Sequence, residues 1–154
     1  MDITLYEWLL FGHLVFAMTW VGGDVMLQAL SLRALRAGPE RTVAFTADVE
    51  WVGLRILTPA GLLVVALGFG LVAEGSRSLS DFWILAGLIV WALSFLTGAT
   101  FLGPETGRIS KLAEASDAGD PEVQRRISRV LLFSRIELVL LILIVFDMVV
   151  KPGL

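Results

Sequence analysis

The residues that could do chemistry in this chain are few and sit in unusual places. His13, Asp24, Arg55, Arg135, Glu137 and Asp147 all fall inside long apolar stretches. Ionisable side chains at such positions are costly, which makes each a functional candidate by default. On the first stretch His13, Ala17, Trp20 and Asp24 follow spacings of four, three and four, so they share one helical face. Gly22-Gly23 lies beside that face and admits a close neighbour. Two accounts of the stripe stand side by side. In one, His13 and Trp20 line an interior ligand pocket. In the other, His13 bonds a neighbouring helix and Trp20 simply packs.

Asp24, Arg55, Arg135 and Glu137 should lie at one depth, close to one membrane surface. An intramembrane charge cluster of this kind can neutralise itself as ion pairs. Arg135 and Glu137 are two residues apart, about 200° around a helix, so they cannot serve one neighbour. The expected pairing is therefore Asp24 or Glu137 with Arg55, while Arg135 turns to headgroups or a carboxylate. An anion site or a proton path at these residues is the functional alternative to plain charge pairing.

The elements that must position these groups are membrane helices. Of the 154 residues, 56 % are hydrophobic and 18 % charged, against about 25 % charged in soluble domains. Mean hydropathy is +0.82. Four stretches are long enough to span, at about 5–30, 52–73, 82–102 and 130–150. The expected fold is an all-α, four-transmembrane-helix bundle in one integral membrane domain, 1–154. No basic region precedes the first stretch and no small-residue cleavage site follows it, so it reads as a retained helix. Gly38-Pro39 predicts a tight turn with a second helix starting near Glu40. Asp120-Pro121-Glu122 predicts an N-cap and a fourth helix that starts well before its apolar part. Both features extend helices into the cytoplasm. Pro59 should kink the second helix, with Thr58 placed to satisfy a freed carbonyl. On the third, Gly87, Trp91, Ser94 and Gly98 share a face suited to close packing.

Arg33, Arg36 and Arg41 occupy the first connection, and Arg108, Lys111, Arg125, Arg126 and Arg129 the last. Only Arg77 and Lys151 flank the other side. The excess of basic residues places both connections in the cytoplasm and both termini outside, in the cell inner membrane. The net charge of −3 gives no reason to expect nucleic acid. Without cysteine there are no disulfides or thiolate metal sites, and one histidine excludes a multi-histidine site within one chain. The expected partners are the lipid bilayer and either further copies of the chain, as a homo-oligomer, or other subunits of a membrane complex.

The run Trp8-x4-His13-x6-Trp20-x-Gly22-Gly23 resembles the first helix of HemJ-type protoporphyrinogen oxidases and of CopD-like membrane proteins. Glu50, Arg55, Thr58-Pro59 and Gly68 continue the resemblance, as do Arg135-Ile136-Glu137 and Lys151-Pro152. The ending Asp147 to Gly153 resembles an uncharacterised four-helix bacterial membrane family in the same wider group. The HemJ resemblance implies an oxidoreductase with haem b, held by His13 and a third-helix lysine, with Trp20 and Arg55 near the cofactor. The third stretch here has no lysine or histidine. What the resemblance then implies is haem on His13 alone, or on two copies of His13 across a dimer. The CopD resemblance implies copper, but the methionines at 1, 18, 26 and 148 are scattered, and copper favours clustered soft ligands. Three function classes follow: a haem or porphyrin-like ligand binder, a small transporter built on the charged cluster, and a noncatalytic subunit or scaffold.

Overall fold

A computed structural model describes residues 3–75 and 77–152. Four long helices make up the fold: α1 (Leu5–Ala37), α2 (Pro39–Glu74), α3 (Phe82–Ala115) and α4 (Pro121–Val150). The all-α, four-helix expectation holds. The first three are long and apolar enough to cross a membrane. The apolar half of α4 carries Arg135, Glu137 and Asp147 and is correspondingly more polar. Large apolar side chains point outward along the bundle, among them Phe11, Met18, Leu93, Leu132 and Phe146. Water would penalise such a surface, and acyl chains do not.

Local chemistry explains where the helices begin and end. Thr4 caps α1 in a reciprocal capping box with Glu7. Gly38, at φ +112°, makes the whole turn between α1 and α2, in a region that suits glycine. Thr42 Oγ1 then donates to Ala34 O at 3.2 Å and bonds Gly38 O at 2.9 Å, which locks the hairpin. Asp120 accepts from the Glu122 backbone at 2.7 Å and caps α4, as its sequence predicts. Lys151 ends α4 in the left-handed region. Gly153, the last residue of the resembling C-terminal motif, and Met1 lie outside the described residues.

Pro59 does not produce a simple kink. The turn before it, Gly53–Leu57, is π-helical. α3 repeats the device at Gly98–Leu102, just before Gly103-Pro104. Each proline lacks the N–H that would continue the α ladder, and the preceding turn widens instead. Thr58 turns toward the bundle interior, where it lines a cavity.

At the end bearing the basic connections, the helices close on a dry cluster of Ile109, Val123, Ile127 and Val130. A second cluster of Leu27, Ala34 and Phe45 ties α1 to α2. Between the apolar halves, small residues let side chains of one helix rest on the backbone of another. Leu9 packs on Gly70, Leu67 on Gly12, Leu57 on Gly23 and Met148 on Gly87.

Candidate functional site: an acidic cavity inside the bundle

The His13–Trp20–Asp24 stripe of α1 faces α2. His13 Nδ1 lies 2.8 Å from Val64 O, and its ring rests against Gly68. Donation from Nδ1 to that carbonyl leaves Nε2 with the lone pair. Trp20 lies over Gly61, with ring atoms 3.4–3.6 Å from where a Cβ would stand. From α3, Trp91 Nε1 donates to Gly61 O at 2.9 Å. Gly61 is thus covered by two indoles, and a side chain there would crowd the first.

Below Trp20 the four helices part around a cavity of about 320 Å³. That is near the lower end of the range for small-molecule pockets. Both π turns line it, through Gly53, Leu57, Gly98 and Leu102. A π turn carries extra backbone per turn and breaks the regular side-chain rows, which hinders close packing. The two wide turns stand where α2 and α3 draw apart.

Three carboxylates line the cavity: Asp24 from α1, Glu50 from α2 and Glu137 from α4. None forms an ion pair among the described residues. Asp24 Oδ2 is buried without a hydrogen-bond partner, and so is Ser94 Oγ, whose residue is 2 % exposed. Gly107 allows the Glu50 carboxylate to lie against α3, 4.0 Å from the position a Cβ would take. Gln28 Nε2 donates to Ser134 Oγ at 2.8 Å across the α1–α4 seam, and both residues line the cavity. The rest of the lining is largely apolar, including Phe45 and Phe95, with the hydroxyl residues Thr42, Thr46 and Thr106 among it.

The charge pairing expected from the sequence does not form. Arg55 and Arg135 are exposed on the outside of their helices, and neither joins Asp24 or Glu137 among the described residues. Arg55 sits in the π turn, whose wider winding shifts the direction of its side chain relative to a regular helix. Of the four residues expected to cluster, the cavity unites Asp24 and Glu137. Of the residues assigned to a cofactor, His13, Trp20 and Arg55, only Trp20 reaches it.

Arginine does reach the acids beyond the cavity. Glu105, 4 % exposed, receives Arg126 at 2.5 Å and Arg108 at 3.4 Å. Glu122 pairs with Arg125 and, at 3.1 Å, with Arg126. The hydrogen bond that Arg125 donates holds the Glu122 carboxyl below its usual range, while the one that Arg126 donates to Glu105 raises the Arg126 guanidinium. The contrast is chemical: Glu105 and Glu122 have cations, and the acids lining the cavity have none among the described residues. The three cavity acids also do not converge on a common metal position, since no cluster of three such ligands exists among the described residues.

Sequence reasoning gave Glu50 no site role and took Ser94 as packing. One signal pointed to the cavity: Gly53 and Gly98 each stand six residues before a proline, Pro59 and Pro104. At the opposite end of α4, Asp147 Oδ2 is also buried without a partner, and Lys151 lies 5.3 Å from the centre of the Trp83 ring.

No curated protein and no solved structure matches the chain. A family described as predicted integral membrane protein (DUF2269) matches residues 7–152. The three apolar helices, the outward-facing apolar side chains and this match agree: the chain belongs to the DUF2269 family of multi-pass integral membrane proteins.

Proposed function

We propose that the acidic cavity binds an organic cation and that the chain is a small transporter or permeation unit for such a cation. The observation that carries this reading is that Asp24, Glu50 and Glu137 line one cavity with no cationic side chain among them. A carboxylate left unpaired away from water is expensive, and a cation entering the cavity offsets that cost. Trp20, Phe45 and Phe95 bring aromatic rings to the lining, a chemistry that suits an ammonium group. Apolar walls and separated acids suit a substituted amine better than a bare metal ion. The basic connections favour an orientation with both termini outside, so that the cavity opens nearer the cytoplasm. Arg55 and Arg135, exposed on the bundle's flank, would meet lipid phosphates, or carboxylates of a second copy in a homo-oligomer.

Calorimetric titration of the purified full chain with benzyltrimethylammonium tests the reading. Saturable binding is expected, weakened about 10- to 100-fold by Asp24→Asn, Glu50→Gln or Glu137→Gln, the span of one charge-assisted contact. Flux of the same cation into liposomes should fall in parallel. Binding that ignores all three substitutions, or equal binding of benzenesulfonate, overturns it.

A second reading keeps a haem at His13. It rests on the bond to Val64 O, because a backbone acceptor on one ring nitrogen is how metal-ligating histidines are oriented. The fit is incomplete: His13 lies outside the cavity, and the apolar part of α3, residues 82–102, contains no lysine or histidine. Oxidised and reduced absorption spectra of wild type and His13→Ala decide it. A Soret band lost in the variant supports haem, and a colourless protein that takes up no added haem removes it.

A further inference from the structure

A second concavity, which shares Leu27 and Phe45 with the acidic cavity but none of its acids, opens on the flank of the α1–α2 hairpin. It has a volume of about 660 Å³. Met26, Leu30 and Trp51 form its apolar end, and Arg33 and Arg41 its polar end. Phe45, 6 % exposed, forms part of the lining. Ala34 and Ala37 keep the wall on α1 low, and the single-residue turn at Gly38 holds the two helices at a set spacing.

Neither Arg33 nor Arg41 pairs with a carboxylate among the described residues, and both are exposed. Trp51 is 58 % and Met26 53 % exposed. From Met26 to Arg33 the helix rises about 10 Å, and from Trp51 to Arg41 about 15 Å. The groove therefore leads from an apolar floor to a guanidinium pair over about the distance that separates upper acyl carbons from a lipid phosphate. Tryptophan favours that interface. Asp48 also lines the groove and leaves it one net positive charge.

We propose that this groove is a binding site for a phospholipid with a singly charged anionic headgroup. Its phosphate takes the Arg33 and Arg41 guanidinium groups, which match phosphate oxygens in forked geometry. Its glycerol and upper chains lie against Trp51, Leu30 and Met26. The net charge of the groove selects against headgroups that are neutral overall. This inference does not depend on the reading of the acidic cavity, because none of the three acids lines the groove.

Native mass spectrometry tests it on the full chain, released from micelles containing equimolar phosphatidylglycerol and phosphatidylcholine. Wild type should retain phosphatidylglycerol about 5-fold over phosphatidylcholine, as expected when headgroups that differ by one charge meet a groove of one net positive charge. The Arg33→Gln/Arg41→Gln variant should fall to near parity. Arg36→Gln/Arg129→Gln removes as much charge on the same side outside the groove and should keep the preference. Equal retention of both lipids by wild type overturns the proposal. So does a control that loses as much as the groove variant, since diffuse charge then suffices. A dimer that carries no lipid also overturns it, because a second copy then covers the groove. Should the groove variant not fold, quenching with brominated-chain lipids serves in its place. Brominated phosphatidylglycerol should quench wild-type fluorescence more than brominated phosphatidylcholine, and that difference should vanish in Trp51→Phe. Persistence of the difference in Trp51→Phe counts against the groove.

Discussion

Neutralising Asp24 should make the empty protein more stable, which separates a ligand-binding acid from a structural one. Asp24 Oδ2 is buried and accepts no hydrogen bond, and no cation stands opposite it among the described residues. A buried polar atom without a partner costs about 1–3 kcal/mol, and more when charged. Asp24→Asn keeps the shape and an unpartnered polar atom but removes the charge, so a gain equal to the extra cost of the charge, about 1–2 kcal/mol, is expected. For a chain of this size that corresponds to a rise of roughly 2–8 °C in Tm. The assay is thermal unfolding of the detergent-solubilised protein, with and without benzyltrimethylammonium. Ligand at a hundred times its Kd adds about 2.7 kcal/mol to whichever protein binds it. The wild type should therefore gain on the variant when ligand is present. A lower Tm for Asp24→Asn without ligand would refute the reasoning, because the carboxylate would then be holding the bundle together.

Four further outcomes are expected. Ile109→Ala should cost about 3 kcal/mol, since Ile109 is 0 % exposed at the centre of the basic-end cluster, whereas Ile136→Ala, at 49 % exposure, should cost under about 0.5 kcal/mol by the same melting assay. Pro59→Ala restores a backbone donor near the Gly53–Leu57 π turn, so it should raise stability by up to about 3 kcal/mol while lowering cation affinity in calorimetry. Glu122 is held below its usual value of 4.5 by its hydrogen bond from Arg125, so its contribution is present above that value and is lost as pH falls through the depressed one. Melting curves of wild type and Glu122→Gln should differ at neutral pH and converge in acid. Gln28→Ala, which breaks the bond to Ser134, should lower Tm by the equivalent of about 1 kcal/mol.

Much of the architecture was legible in the sequence because membrane helices are specified locally. Apolar length, the Gly38-Pro39 turn and the Asp120-Pro121 cap each depend on residues within a turn or two of one another. The family match over 7–152 accords with the expected integral membrane class. The cavity was less legible. Depth along a helix can be read from sequence, and it put Asp24, Arg55, Arg135 and Glu137 at one level. The direction of a side chain around the axis is harder to read. It shifts when a turn is π rather than α, as at Arg55.

Composition and periodicity alone determined that this chain forms long apolar helices with few ionisable groups among them. Those features follow from the absence of water in the bilayer, which every residue meets separately. Only the tertiary structure decided which acids share a space. Asp24, Glu50 and Glu137 come from three helices, and their meeting depends on how those helices rotate and where the Gly53 and Gly98 turns widen. The same packing left Arg55 and Arg135 outside and set Arg126 on Glu105. Whether a charge is paired or left open to a ligand depends on side-chain direction across helices, and that is a property of the assembled bundle.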